Sequence, residues 1–251
     1  MSERDKDTKA NEIGERFQDE TKYTPEMLNG YMLDWKAIPE PFKEYKNSIA
    51  NISLPEPKTG NANFWKLLLK RRTCRDYNMQ KSLKFNDLTA LLWAAQGLTA
   101  QFGDTFFRTA PSAGGLYPVE TYLSVRAVEG IEQGIYHFRP GDFDLEFLKK
   151  GDFSQALSEA SLQQTVVLGA QATMIWSAMI ARGRWKYRQR AYRYIYLDAG
   201  HIAQNLYLAG EALGLGICAR GAFYDDDVNR IVNLDGTEET VIYMATIGVK
   251  A

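Results

Sequence analysis

Three guanidinium groups and a hydroxyl stand within five residues at Arg71, Arg72, Thr73 and Arg75. Such a cluster suits an anion. A phosphomonoester is more than singly charged near neutral pH and accepts several hydrogen bonds, and arginine meets it with paired planar donors. A solvated charged helix end has the same composition, because basic side chains collect at helix C-termini. A second candidate is the run at residues 110–118, where Pro111, Ser112, Ala113, Gly114 and Leu116 form a mostly small-residue stretch bracketed by prolines. Small side chains let a backbone approach a flat ligand, and they equally make an ordinary turn. A third segment, residues 213–223, carries Gly214, Gly216 and Gly221. Its spacing fails G-x-G-x-x-G, and a helix precedes the strand, the reverse of the order in a dinucleotide-binding unit. What it permits is a bare backbone amide, at Gly221 or beside it at Ala219 and Arg220, aimed at a ligand acceptor.

Residues 182–194 interleave arginine, lysine, tyrosine and tryptophan. Such a stretch could stack on nucleic acid, or it could open a helix whose tyrosines pack while its arginines stay wet. Overall charge separates the two: 30 Lys and Arg against 31 Asp and Glu leave a net charge of −1, no footprint for nucleic acid or an anionic membrane. The two cysteines, Cys74 and Cys218, with His137 and His201, cannot supply a spaced four-ligand zinc site. Neither a signal peptide nor a membrane-spanning run is visible, which points to a reducing, cytoplasmic setting.

The elements that must position these residues follow from periodicity. Residues 1–20 are charged with few apolar anchors and are expected to fray as a tail. Residues 21–60, with Tyr23, Trp35, Phe42 and Tyr45 among prolines, read as an extended arm draped over a body formed by residues 61–251. A short helix is expected at 64–71, with Phe64, Leu67 and Leu68 on one face, and another at 87–96, with Asn86 capping its start and Gly97 making a left-handed exit. Strands are expected at 120–125, 134–138 and 143–148, the last two joined by the turn at 139–142. A helix at 153–163, a central strand at 172–180 and one long helix over 186–213 ending at Gly214 come next. Strands at 217–223 and 241–249 flank a short helix near 226–232. The sum is one α+β domain, 251 residues and 45% hydrophobic, around a mostly antiparallel sheet flanked by helices.

Taken in order, these segments resemble the nitroreductase superfamily, and more closely its SagB-type branch of dehydrogenases related to azoline oxidases. The likeness rests on Thr21 to Thr24, Pro41, Phe42, Lys43, Tyr45, Leu54 and Pro55, the 71–75 cluster, the 111–118 run, Gly134 to His137, Lys186 with Tyr187, and the block from Gly200 to Leu206. The resemblance implies a nitroreductase-like fold, an intertwined homodimer and an FMN cofactor between the chains. Arg71, Arg72, Thr73 and Arg75 would hold its phosphate and ribityl side. Pro111, Ser112, Ala113, Gly114 and Leu116 would contact it from the partner, and Ala219, Arg220 and Gly221 would lie near flavin N5. Lys186 and Tyr187 match a pair thought to assist proton removal in azoline oxidases; packing and pairing at a helix start is the plainer role for them. A basic C-terminal contact to the phosphate has only Lys250 to draw on. The activity implied is hydride exchange between flavin and a small organic or peptidic substrate, with azoline oxidation as its narrow form. An NAD(P)H-dependent nitro or quinone reductase and a flavin-binding protein without turnover are the alternatives.

Overall fold

A computed structural model of the chain describes residues 13–24, 30, 32–57 and 60–251. Its helices are α1 (Ile13–Glu20), α2 (Phe64–Lys70), α3 (Phe85–Gln96), α4 (Ser154–Ala160), α5 (Val166–Gly169), α6 (Ile180–Tyr187), α7 (Ala191–Ala212) and α8 (Asp225–Val232). The strands are β1 (Ala50–Ser53), β2 (Leu98–Phe102), β3 (Thr105–Arg108), β4 (Val119–Val125), β5 (Gly134–Arg139), β6 (Asp144–Lys150), β7 (Ala172–Met179), β8 (Leu215–Arg220) and β9 (Glu239–Val249). Seven of them form one sheet in the order β1-β6-β5-β4-β7-β9-β8, with every neighbouring pair antiparallel. The expected α+β class holds.

Alternation along the strands divides the core between the two faces of the sheet. On one face Leu88, Leu91, Leu92 and Ala95 of α3 and Ile195, Ala199, Ile202 and Leu206 of α7 pack against Leu123 and Trp176. On the other, Leu157 of α4, Val167 of α5 and Val228 of α8 cover Tyr122, Ile135, Ile175 and Met244. The apolar run of β7 lies between β4 and β9, so both its faces are covered, as its near-continuous hydrophobicity requires.

Several expectations are corrected. Helix α3 starts after Lys84 without a side-chain cap from Asn86, and Gly97 leaves it in extended backbone at φ −62°. The helix expected at 153–163 ends at Ala160. The helix expected over 186–213 is two, because Arg188 takes φ +50° where α6 ends and a 3-10 turn leads into α7. Strands β2 and β3 form a hairpin that was not among the expected elements. The apolar face expected on α2 exists but is uncovered in one chain: Phe64 is 53% and Leu68 41% exposed.

Residues 34–45 are tied down by polar contacts. Asp34 O accepts from Trp185 Nε1 (2.8 Å), Glu40 O from Arg182 Nε (2.8 Å), and Tyr45 N donates to Glu146 Oε1 (2.7 Å), while Lys43 pairs with Glu239. These lead into a network buried in the sheet. His137 bridges Glu146 (Nδ1, 2.7 Å) and Glu120 (Nε2, 3.1 Å), and Glu120 also accepts from Arg182. Burial alone would lower the His137 pKa, but the two carboxylates raise it; burial likewise disfavours the Glu120 charge, yet Arg182 and His137 hold Glu120 at about 2. Replacing His137 by Leu leaves two buried carboxylates without their shared partner and should cost about 3–5 kcal/mol in urea denaturation. Because the folded-state pKa of His137 lies above its ordinary value of about 6.5, its proton contributes fully below that pH. That contribution fades as pH rises through the raised value, so the advantage of wild type over His137→Leu should shrink as pH climbs above about 6.5.

Candidate functional site

The first predicted cluster follows α2, whose start is capped by Asn63 Oδ1 accepting from Lys66 N (3.1 Å). Arg71 lies with its guanidinium 5.1 Å from the Tyr207 ring, and Thr73 Oγ1 stands 3.1 Å from Tyr207 Oη. Tyr207 Oη in turn accepts from Ala219 N (2.8 Å), so one phenol on α7 joins the arginine cluster to β8. Arg72 folds back onto the carbonyls of Leu69 and Arg71 (3.1 and 2.7 Å), and Arg75 is exposed. Arg220 ends β8 with only 5% of its surface exposed, and its Nε, Nη1 and Nη2 are all buried without a hydrogen-bond partner. Burial, reinforced by the nearby Arg75 charge, lowers its pKa despite opposing contributions from Cys218 and Tyr77. Gly221 is exposed just past the strand. Lys250 pairs with Glu211 (3.1 Å).

The second cluster is built on the N-terminal half of α7. Asp198 accepts from Ser112 Oγ (2.6 Å) and Ala113 N (3.3 Å), and Ser112 Oγ accepts from Tyr117 N (2.9 Å). Ala113–Gly115 form a 3-10 turn that Leu116 caps, while Pro111 is exposed. Gly114 has φ +66°, and a Cβ there would lie 2.5 Å from Tyr187 Oη and 3.0 Å from Lys186 Nζ. The small-residue run and the Lys-Tyr pair therefore meet, across a gap that only glycine leaves open. Burial raises the Tyr187 pKa, helped by Tyr194, whose ring lies edge-on at 4.7 Å, and by Asp198. Lys186 Nζ sits 5.6 Å from the centre of the Tyr187 ring.

Within one chain the two clusters stay apart. Asp198 and Tyr207 are nine residues apart on α7, about 13 Å along its axis and half a turn around it. Sequence reasoning missed both residues. The available signal was an aspartate and a tyrosine beside the apolar stripe of the helix, where they are buried and half-buried, since buried polar groups are held by partners. It also missed a cavity of about 480 Å³ beside Gly114 and Lys186, roofed by residues 35–42 and lined by Arg108 and Tyr117.

The nitroreductase family model matches residues 68–249, and the chain belongs to that family. Its members are generally FMN-dependent oxidoreductases. A nitroreductase-type protein of Methanocaldococcus jannaschii is 36% identical over 168 residues, covering 67% of this chain and 83% of that protein. The microcin B17-processing protein McbC of Escherichia coli is 28% identical over 134 residues, 51% of this chain and 49% of McbC. The trifolitoxin-processing protein TfxB of Rhizobium leguminosarum is 30% identical over 138 residues, 53% of this chain and 37% of TfxB. The chain thus spans half or less of these two processing proteins. A solved nitroreductase-type structure from Anabaena variabilis superposes with a TM-score of 0.77 at 30% identity, over 94% of this chain and 46% of that one. No helix among the described residues is long and apolar enough to cross a membrane.

Gly114→Ala is expected to displace Tyr187 and to destabilise the protein by about 1–2 kcal/mol through its left-handed backbone, measured by urea denaturation.

Proposed function

We propose that this chain is an FMN-dependent oxidoreductase of the SagB-type branch, working as a homodimer with one flavin at each of two equivalent seams. The observation that carries this reading is Arg220, buried with all three guanidinium nitrogens unpartnered and close enough to Arg75 to feel its charge. A buried cation without a partner costs several kcal/mol, so a site that retains one is built for an anion. FMN meets that demand, and when bound it supplies the hydride chemistry that no side chain here provides.

In this reading Arg71, Arg72, Thr73 and Arg75 hold the phosphate and ribityl side, with Tyr207 fixing Thr73 and Ala219. The Gly221 region supplies a backbone donor toward the ring. Pro111, Ser112, Ala113, Gly114 and Leu116 close over it from the second copy, since one chain holds them on the far side of α7. The uncovered apolar surface of α2, with Trp65 and Leu69 each 75% exposed, supports that pairing.

Lys186 and Tyr187 handle the proton. Burial raises the Tyr187 pKa, so its phenol stays neutral near pH 7 and can donate a hydrogen bond to the ring beside Lys186. Similarity to two peptide-processing proteins supports a peptidic substrate, with oxidation of an azoline ring as the narrow form. Desaturation of that ring gives up a hydride, for which bound flavin would be the acceptor, and a proton, for which Lys186 in its amine form would be the acceptor.

Two variants test the reading. Arg220→Met should weaken FMN binding at least about tenfold in a fluorescence titration while raising the melting temperature of the cofactor-free protein, because a buried unpaired charge is gone. Lys186→Met with Tyr187→Phe should keep the yellow flavin spectrum and lower turnover by roughly 10²-fold or more. A preparation that cannot be loaded with FMN would overturn the proposal.

A further inference from the structure

The cavity beside Gly114 and Lys186 contains a second cation whose donors are not used up. Arg108, at the end of β3, is 7% exposed and lines this cavity. Its guanidinium lies 4.7 Å from the Tyr117 ring and 5.7 Å from the Phe42 ring, which fix its plane. Nη1 donates to Gln96 Oε1 (2.9 Å), and Gln96 is itself anchored through Nε2 to Val119 O and Thr121 Oγ1 (2.9 and 3.0 Å). Nε is buried and has no partner.

The other charges facing the cavity are accounted for differently. Arg182 is neutralised by Glu120 and also donates to the carbonyls of Glu40 and Tyr117. Glu120 acts on Arg108 electrostatically but accepts its hydrogen bonds from Arg182 and His137. Glu40 and Asp104 are exposed at the rim, where water screens them. Burial therefore lowers the Arg108 pKa to about 10, with no carboxylate bonded to it in compensation. Nε and the neighbouring Nη of a guanidinium form the two-donor edge that a carboxylate accepts. The remaining walls are flat: Trp35, Phe42 and Phe106 line the same cavity, and Phe42 meets Phe106 edge-on at 4.8 Å. A volume of about 480 Å³ accommodates one or two rings.

We infer that this cavity is the substrate pocket and that it selects a flat ring bearing a carboxylate, of which an azoline is the reactive form and an azole the product, with the ring between Trp35 and Phe42 and the carboxylate on Arg108. Lys186 and Gly114 line the same cavity, so the bound ring reaches the proton-transfer pair. This assignment rests on the oxidoreductase proposed above, and it fixes the chemical class of the substrate. Arg108 selects by charge and shape, and a neutral isostere leaves its buried donor unmet.

The test titrates benzoate and benzamide into the purified full-length protein and into its Arg108→Gln and Arg108→Lys variants. Binding is followed by calorimetry and by the fluorescence of Trp35 and Trp185, and flavin occupancy is read from visible absorbance of the same samples. Benzoate should bind wild type at least about tenfold more tightly than benzamide, because a charge-assisted pair is lost with the amide. Arg108→Gln should bring the two ligands within about twofold, and Arg108→Lys, which keeps the charge but not the fork, should give an intermediate preference. If Arg108→Gln does not fold, the reduced preference of Arg108→Lys relative to wild type decides the matter alone. Equal affinities in wild type, undetectable binding of both probes, or a preference that survives undiminished in either variant, overturns the inference. A benzoate preference in protein that takes up no flavin removes the FMN reading, and with it the substrate role, but leaves the carboxylate pocket standing. Flavin-loaded protein without the preference does the opposite.

Discussion

The burial of α7 against one face of the sheet is the constraint on which the site depends. Ile195, Ala199, Ile202 and Leu206 fix the rotation of the helix by packing on the core, and that rotation decides where its polar groups go. Asp198 then meets Ser112 and Ala113, and Tyr207 meets Thr73 and the backbone of β8. A helix free to roll would carry neither cluster in a fixed position. The half turn between the two residues sets the clusters on opposite sides of one subunit. A bipartite site split this way suits a ligand shared between two copies.

Polar burial in this molecule falls into two kinds. The network of Glu120, His137, Glu146, Arg182, Lys43, Tyr45, Tyr122 and Glu239 is closed on itself, each charge facing an opposite charge or a hydrogen-bond donor. It fastens residues 40–45 to the sheet and keeps that roof over the cavity. Arg220 and Arg108 are open by comparison, each with buried nitrogen that nothing among the described residues satisfies. The closed network fits a role in specifying the fold, and the open cations mark where an anion from outside the chain completes the structure. In the proposed reading they separate the tasks, with Arg220 on the cofactor side and Arg108 on the substrate side.

Where periodicity reports burial, the fold was legible from sequence. The stripe of Leu88, Leu91, Leu92 and Ala95, the apolar run of β7 and the turn between β5 and β6 all follow from local pattern. The β2–β3 hairpin did not, although Leu98, Ala100 and Phe102 alternate with Thr99 and Gln101, because both strands are short and their side chains largely exposed. Nor did the break at Arg188, since a positive φ at arginine has no local signal. At the site, Gly114 and the Lys186–Tyr187 pair were legible as motifs, and their contact came only with the fold. Asp198 and Tyr207 were not legible: their partners Ser112 and Thr73 lie 86 and 134 residues away in the chain.

The central claim is that one copy grips FMN through Arg75 and Arg220 while a second closes over it through Gly114. Subunit complementation tests it most directly. A chain carrying Arg75→Ala and Arg220→Ala is co-expressed with one carrying Gly114→Trp, and bound FMN is counted per chain. Each variant alone should bind almost none, whereas random pairing should restore about a quarter of wild-type occupancy, one intact site in each mixed dimer. Full occupancy in either variant alone, or no recovery in verified mixed dimers, would contradict a flavin held between two copies.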